Sequence, residues 1–127
     1  MADRGRDASM DRIRIYAREQ VARTSLRKVA TRAGVKVGAT KKFVDGSEPY
    51  ERNARLWRLW YAQELHAGAT GDAVPAPDAR IALELLLTGL TAEERATAIP
   101  RAAAFVRDLY RALGHPPPQW AIDLAGP

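Results

Sequence analysis

Apolar residues recur at three- and four-residue steps along most of this chain, and no stretch alternates apolar and polar positions as a half-buried strand would. Met10, Ile13, Ala17 and Val21 predict a first helix over about 10–23, preceded by a short polar arm, residues 1–8, that reads as disordered. Thr24 or Ser25 can cap a second helix, Leu26 to Arg32. After Ala33-Gly34-Val35 a third helix covers about Lys36 to Val44 and stops at Asp45-Gly46. Ser47 or Glu48, with Pro49 near the first turn, opens a fourth helix that ends near Ala67. Its Leu56, Trp57, Leu59, Trp60, Tyr61 and Leu65 cover more than one stripe, so part of that surface is expected to meet the C-terminal region or a second subunit.

The segment AGATGDAVPAPD, residues 67–78, is rich in Gly, Pro and Ala and reads as a linker. Beyond it, Asp78 is expected to cap a helix running through Thr88, with Gly89 ending it. Thr91-Ala-Glu-Glu94 has the spacing of a capping box, in which hydroxyl and carboxylate each accept from the other residue's backbone N–H. Pro100 is expected to split the helix that starts there, leaving a last helix over about 100–113 with Ala103, Val106, Leu109, Tyr110 and Leu113 on one face. Gly114 and Pro116-Pro117-Pro118 stop it, and Trp120, Ile122 and Leu124 are expected to fold the tail back as a lid.

The most specific pattern lies between Ser25 and Gly46. Ala30 is small enough for two helices to cross closely, and Gly34, four residues on, accepts the positive φ of a tight inter-helix turn. Val29, Val35, Phe43 and Val44 are spaced to face one core, leaving a cationic remainder outside. This segment resembles the phage-repressor (Cro/lambda-repressor-like) helix-turn-helix DNA-binding family, in which an Ala at the fifth position, a Gly at the ninth, an aliphatic after it and a closing Asn-Gly or Asp-Gly recur. Here they are Ala30, Gly34, Val35 and Asp45-Gly46. Leu26 and Thr40 depart from the pattern, standing where relatives carry a polar residue and an aliphatic core residue.

The resemblance implies that the third helix presents Val37, Gly38 and Ala39 to base edges, with Lys41 and Lys42 one turn on. The first three cannot make a bidentate hydrogen bond, but their small size lets a helix sit deep, and the methyls of Val37 and Ala39 can meet a thymine methyl. Lys41 can reach guanine, Lys42 or Lys36 a phosphate, and Ser25, Arg27, Lys28 and Arg32 the flanking backbone. Such phosphate contacts set affinity and register without carrying sequence information.

Charge sharpens this picture. Residues 1–67 carry 15 Lys and Arg against 8 Asp and Glu, net +7, whereas 68–127 carry 5 against 7, net −2. Sixteen of the 20 cations are Arg, as a GC-rich genome produces by itself, but three of the four lysines, Lys36, Lys41 and Lys42, lie in or beside the third helix. There are no cysteines, and the longest apolar run, Ile81 to Leu87, is broken by Glu84 and too short to span a bilayer. His66 and His115 stand in unrelated segments, the capping box accounts for Glu93 and Glu94, and no Gly-rich loop cradles a phosphate. The sequence therefore calls for no enzyme, small-molecule cofactor, metal or membrane.

The expectation is an all-α protein: a helix-turn-helix DNA-binding domain of the phage-repressor type at 9–67, followed by a small helical dimerisation or partner-binding region at 78–127. Its expected function is sequence-specific binding of double-stranded DNA in transcription regulation, most simply as a homodimeric repressor in the cytoplasm at the nucleoid. The alternative is a protein–protein interaction module, antitoxin-like or adaptor, because the same fold is reused in proteins that bind only other proteins.

Overall fold

The computed structural model describes residues 7–68 and 74–126, and every regular element among them is an α-helix. The arm at 1–6 and the middle of the expected linker, 69–73, lie outside the described residues. The chain divides into two compact units, Met1–Gln63 and Glu64–Pro127.

The first unit begins with α1 (Ala8–Arg23), α2 (Leu26–Ala33) and α3 (Val37–Val44), which pack pairwise on one another, followed by α4 (Glu51–Gly68), which runs past the unit's end. Their ends are set by local chemistry. Asp7, which the sequence reading left in the arm, is the N-cap of α1: its carboxylate accepts from the N–H groups of Ser9 at 2.8 Å and Met10 at 3.4 Å. Ser25 caps α2 by accepting from the Lys28 N–H at 3.1 Å, whereas Thr24 ends α1. Gly34, at φ +75°, donates to the Ala30 carbonyl at 2.9 Å, and a Cβ there would meet no atom within 4 Å. Glycine is therefore required at this turn for its backbone angle rather than for space. Pro49 lies ahead of α4 rather than in its first turn, and the first α4 bond runs from Ala54 N–H to the Tyr50 carbonyl, 2.8 Å.

Met10, Ile13, Ala17, Val29, Ala30, Val35 and Phe43 are buried, and Val44 is only half-buried. Thr40, where an aliphatic residue would suit a core, is completely buried because its hydroxyl donates to the Lys36 carbonyl at 3.0 Å. α4 joins the core through large rings. Trp57 stacks on Phe43 with centroids 4.4 Å apart, Trp60 meets Trp57 edge-on at 5.6 Å, and Tyr16 contacts both Trp60 and Tyr61 at 5.4 Å. The α4 aromatics thus pack on rings of the first unit, and Leu59, of the apolar residues expected on this helix, is exposed.

The second unit contains α5 (Ala76–Leu86), α6 (Ala92–Ala112) and α7 (Gln119–Ala125), with α6 packed on both α5 and α7. Asp78 does not cap α5. Pro75 is the N-cap, Pro77 lies in the first turn where a missing N–H is harmless, and Asp78 is buried inside the helix, which ends at Leu86. The capping box at Thr91 and Glu94 forms with both bonds, at 3.1 and 2.9 Å.

Pro100 does not split the helix. α6 runs 21 residues through it, with a capped turn ahead, three turns behind, and Ile99 and Ala103 buried beside the proline. Packing on both sides of one missing hydrogen bond outweighs the local penalty of about 3 kcal/mol. Of the apolar residues expected on one face here, Ala103 is buried and Val106 half-buried, whereas Leu109, Tyr110 and Leu113 are exposed. The tail returns as α7, packing on α5 and α6 with Ala121 buried.

Candidate functional site

α2 with its N-cap Ser25, the turn Gly34–Lys36 and α3 carry all ten residues singled out from the sequence. Arg27, Lys28, Arg32, Lys36, Val37, Gly38, Lys41 and Lys42 are exposed, and Ser25 and Ala39 are half-buried. None is taken up by the core.

α3 has an open start. Lys36 is its N-cap, with extended backbone at φ −62° and ψ +148°, and no side chain caps the first turn. Its first N–H groups therefore face outward with the positive end of the helix dipole, beside an exposed ammonium-bearing side chain. Val37, 41% exposed, and Gly38 occupy that first turn. One turn on, Lys41 is paired with Asp45 at 2.8 Å, an exposed i,i+4 contact, and Lys42 carries no such pair among the contacts observed. Exposed pairs of this kind contribute at most about 1 kcal/mol, so Lys41 can exchange Asp45 for another anion at little cost.

The far end of α3 is held by two arginines of α1. Arg14 is 2% exposed; its Nε donates to the Phe43 carbonyl at 2.7 Å, its Nη2 to the Ser47 carbonyl at 2.9 Å, and its Nη1 to Asp11. Its guanidinium also lies 4.8 Å from the Phe43 ring centroid. Arg18 donates to the Val44 carbonyl at 2.6 Å. Cations thus satisfy the carbonyls at the negative end of α3, and fix the helix against α1. Arg58, also buried, pairs with Asp7 at 3.5 Å and Glu51 at 3.6 Å. Arg14, Arg18 and Arg58 therefore belong to the fold, which accounts for part of the cationic surplus of the first half.

Comparison with protein-family models, with curated proteins and with solved structures finds no match.

Three residues that the sequence reading passed over extend the site. Tyr50, Arg52 and Asn53, at the start of α4, line a cleft of about 350 Å³ with Gly34, Lys36 and Ala39. Tyr50 and Arg52 are exposed. No periodic signal marks them, since their role depends on where α4 begins relative to the turn before α3. The assembled surface offers ammonium and guanidinium groups, backbone N–H donors and an amide beside a small, apolar helix tip. That donor set suits an extended anion carrying recessed acceptors. Among the described residues no cluster of three His, Cys, Asp or Glu could hold a metal, and no helix is long and apolar enough to cross a membrane.

Gly38 separates the needs of the fold from those of the surface. Its backbone is not in the left-handed region, and a Cβ there would meet nothing within 4 Å. Gly38→Ala is therefore expected to stabilise the free protein by up to about 0.5–1 kcal/mol through better helix propensity, read as a higher midpoint in thermal unfolding.

Proposed function

We propose that the chain is a sequence-specific double-stranded DNA-binding transcription regulator, acting most simply as a repressor that covers a promoter. In this reading α2 and α3 form a helix-turn-helix of the phage-repressor type, and α3 is the recognition helix entering the major groove. The observation that carries it is the open, exposed N-terminal turn of α3, where Val37 and Gly38 stand between Lys36 and the Lys41–Lys42 pair, while the opposite end of the helix is anchored by Arg14 and Arg18. A small tip set among cations can approach base edges closely while Arg27, Lys28, Arg32, Lys36 and Lys42 contact phosphates. Arg52 and Asn53 add donors beside the turn.

Because Val37, Gly38 and Ala39 read bases mainly by shape and methyl contact, each copy contributes modest specificity, and two copies on half-sites about 34 Å apart supply the rest. The Gly38→Ala variant tests the close approach. It should bind its DNA site more weakly than the wild type although it is more stable, because the added methyl occupies space at the groove floor. Undiminished affinity would remove Gly38 from the contact surface. Selection from random duplex DNA at low salt tests the function itself. Recovery of a common, two-fold related sequence is expected; no affinity for duplex DNA would favour the protein–protein module instead.

A further inference from the structure

The acids around the start of α4 are drawn away from the cleft beside the α2–α3 turn. Between residues 45 and 51 the chain carries three carboxylates, and each meets a cation elsewhere: Asp45 meets Lys41 at 2.8 Å, Glu48 meets Arg14 at 3.7 Å and Glu51 meets Arg58 at 3.6 Å. Among the described residues no carboxylate lines the cleft. Its polar side chains are those of Lys36, Tyr50, Arg52 and Asn53, and among the described residues none of the four makes a side-chain hydrogen bond or ion pair. Arg14, Arg18 and Arg58, by contrast, are held by backbone carbonyls and carboxylates. Two uncommitted cations, a phenol and an amide therefore border one recess.

Size and lining narrow what that recess can take. At about 350 Å³ it falls within the range of small-molecule sites, about 300–1,000 Å³, and has room for more than a bare inorganic anion. Two positive charges match the double negative charge that a phosphomonoester approaches at neutral pH, and the guanidinium fork of Arg52 suits two of its oxygens. The remaining walls are apolar. Val35, Ala39 and Leu56 line the cleft, and the Tyr50 ring, 87% exposed, is available to stack on a flat group. Asn53 adds an amide that both donates and accepts. A phosphate of a duplex backbone meets only part of this, since it is a diester with a single charge and its bases are stacked inside the helix.

We infer that the cleft between the α2–α3 turn and the start of α4 binds a small phosphomonoester carrying a flat, partly apolar group. Arg52 and Lys36 hold the phosphate, Tyr50 covers the flat group and Asn53 bonds a polar edge of it. Lys36 and Ala39 also belong to the surface proposed to meet DNA, so an occupied cleft should obstruct a duplex. That consequence, unlike the binding itself, rests on the proposed function.

Isothermal titration calorimetry of the full chain without DNA, at low ionic strength, tests this with phenyl phosphate and inorganic phosphate as probes. Phenyl phosphate should bind at one site and about tenfold more tightly than inorganic phosphate, the scale for partly covering a ring. Arg52→Ala should weaken both probes by about tenfold or more, through loss of a charge-assisted bidentate contact. Tyr50→Ala should bring phenyl phosphate toward the affinity of inorganic phosphate and leave the latter nearly unchanged, a split that damage to the fold cannot produce. Both side chains are exposed, so the unfolding midpoints of the variants should match that of the wild type. No saturable binding of phenyl phosphate at millimolar concentration would overturn the inference, as would equal affinity for the two probes or undiminished binding by Arg52→Ala. If phenyl phosphate fails to bind while Arg52→Ala weakens affinity for a duplex, the cleft belongs to a backbone phosphate instead.

Discussion

Arg14→Ala is expected to destabilise the first unit by about 3–5 kcal/mol, the range for breaking a buried, hydrogen-bonded charge network. Arg14 is enclosed, and it satisfies the carbonyls of Phe43 and Ser47 while lying close to the Phe43 ring. Removing it leaves a cavity and takes a charged donor from two carbonyls, of which Phe43 keeps the Gly46 N–H at 3.1 Å and Ser47 lies at the surface, so the lost packing and the buried network around the guanidinium carry most of the cost. Since a domain of this size has about 5–15 kcal/mol in total, much of the unit should be unfolded near its physiological temperature. Urea unfolding followed by tryptophan fluorescence reports chiefly on this region, because Trp57 and Trp60 lie in the first unit and Trp120 in the second. Arg14→Lys should recover little, since an ammonium cannot span the two carbonyls and Asp11 as the guanidinium fork does. A loss below about 1 kcal/mol would mean that Arg14 does not hold α3 in place.

A loss of similar size, about 3–5 kcal/mol, is expected for Trp57→Ala. Trp57 is fully buried, stacked on Phe43 and edge-on to Trp60, and it is the side chain through which α4 reaches α3. Its removal opens a large cavity under the C-terminal half of α3. Trp57→Phe should cost much less, because a ring remains against Phe43. Equal unfolding midpoints for Trp57→Ala and Trp57→Phe would show that a ring against Phe43 contributes nothing at this position.

The two variants mark the division between what the sequence discloses and what only the fold discloses. Ser25, Gly34, Gly46, Thr91 and Glu94 are legible because each acts on backbone within four residues of itself, and the chain's apolar spacing suffices for an all-helical structure. The cationic candidates lie on the faces left after the core of α2 and α3 is assigned, whereas Val37, Gly38 and Ala39 are implied by the resemblance to the helix-turn-helix family. Arg14 was hidden because an arginine at a helix position next to a core residue reads as solvated; its partners lie 29 and 33 residues away. Pro100 misled for the complementary reason: its local rule is real, but packing at Ile99 and Ala103 decides the outcome. The apolar face of α6 was legible as a face, but not how much of it the unit covers, since periodicity distinguishes an apolar face from a polar one but not what covers it. Tyr50, Arg52 and Asn53 join the candidate site only once the start of α4 is placed beside the turn.

The central claim, that the surface around α3 binds the phosphate backbone of duplex DNA, is tested most directly by the salt dependence of affinity for a duplex. If Arg27, Lys28, Arg32, Lys36, Lys41 and Lys42 supply about four to six phosphate contacts per copy, log affinity should fall with log salt at a slope of roughly −4 to −5 for each copy bound. Lys42→Ala should reduce that slope by about one and lower affinity about tenfold near 0.1 M salt. A flat salt dependence, or a Lys42→Ala slope equal to that of the wild type, would contradict the placement of α3 on DNA.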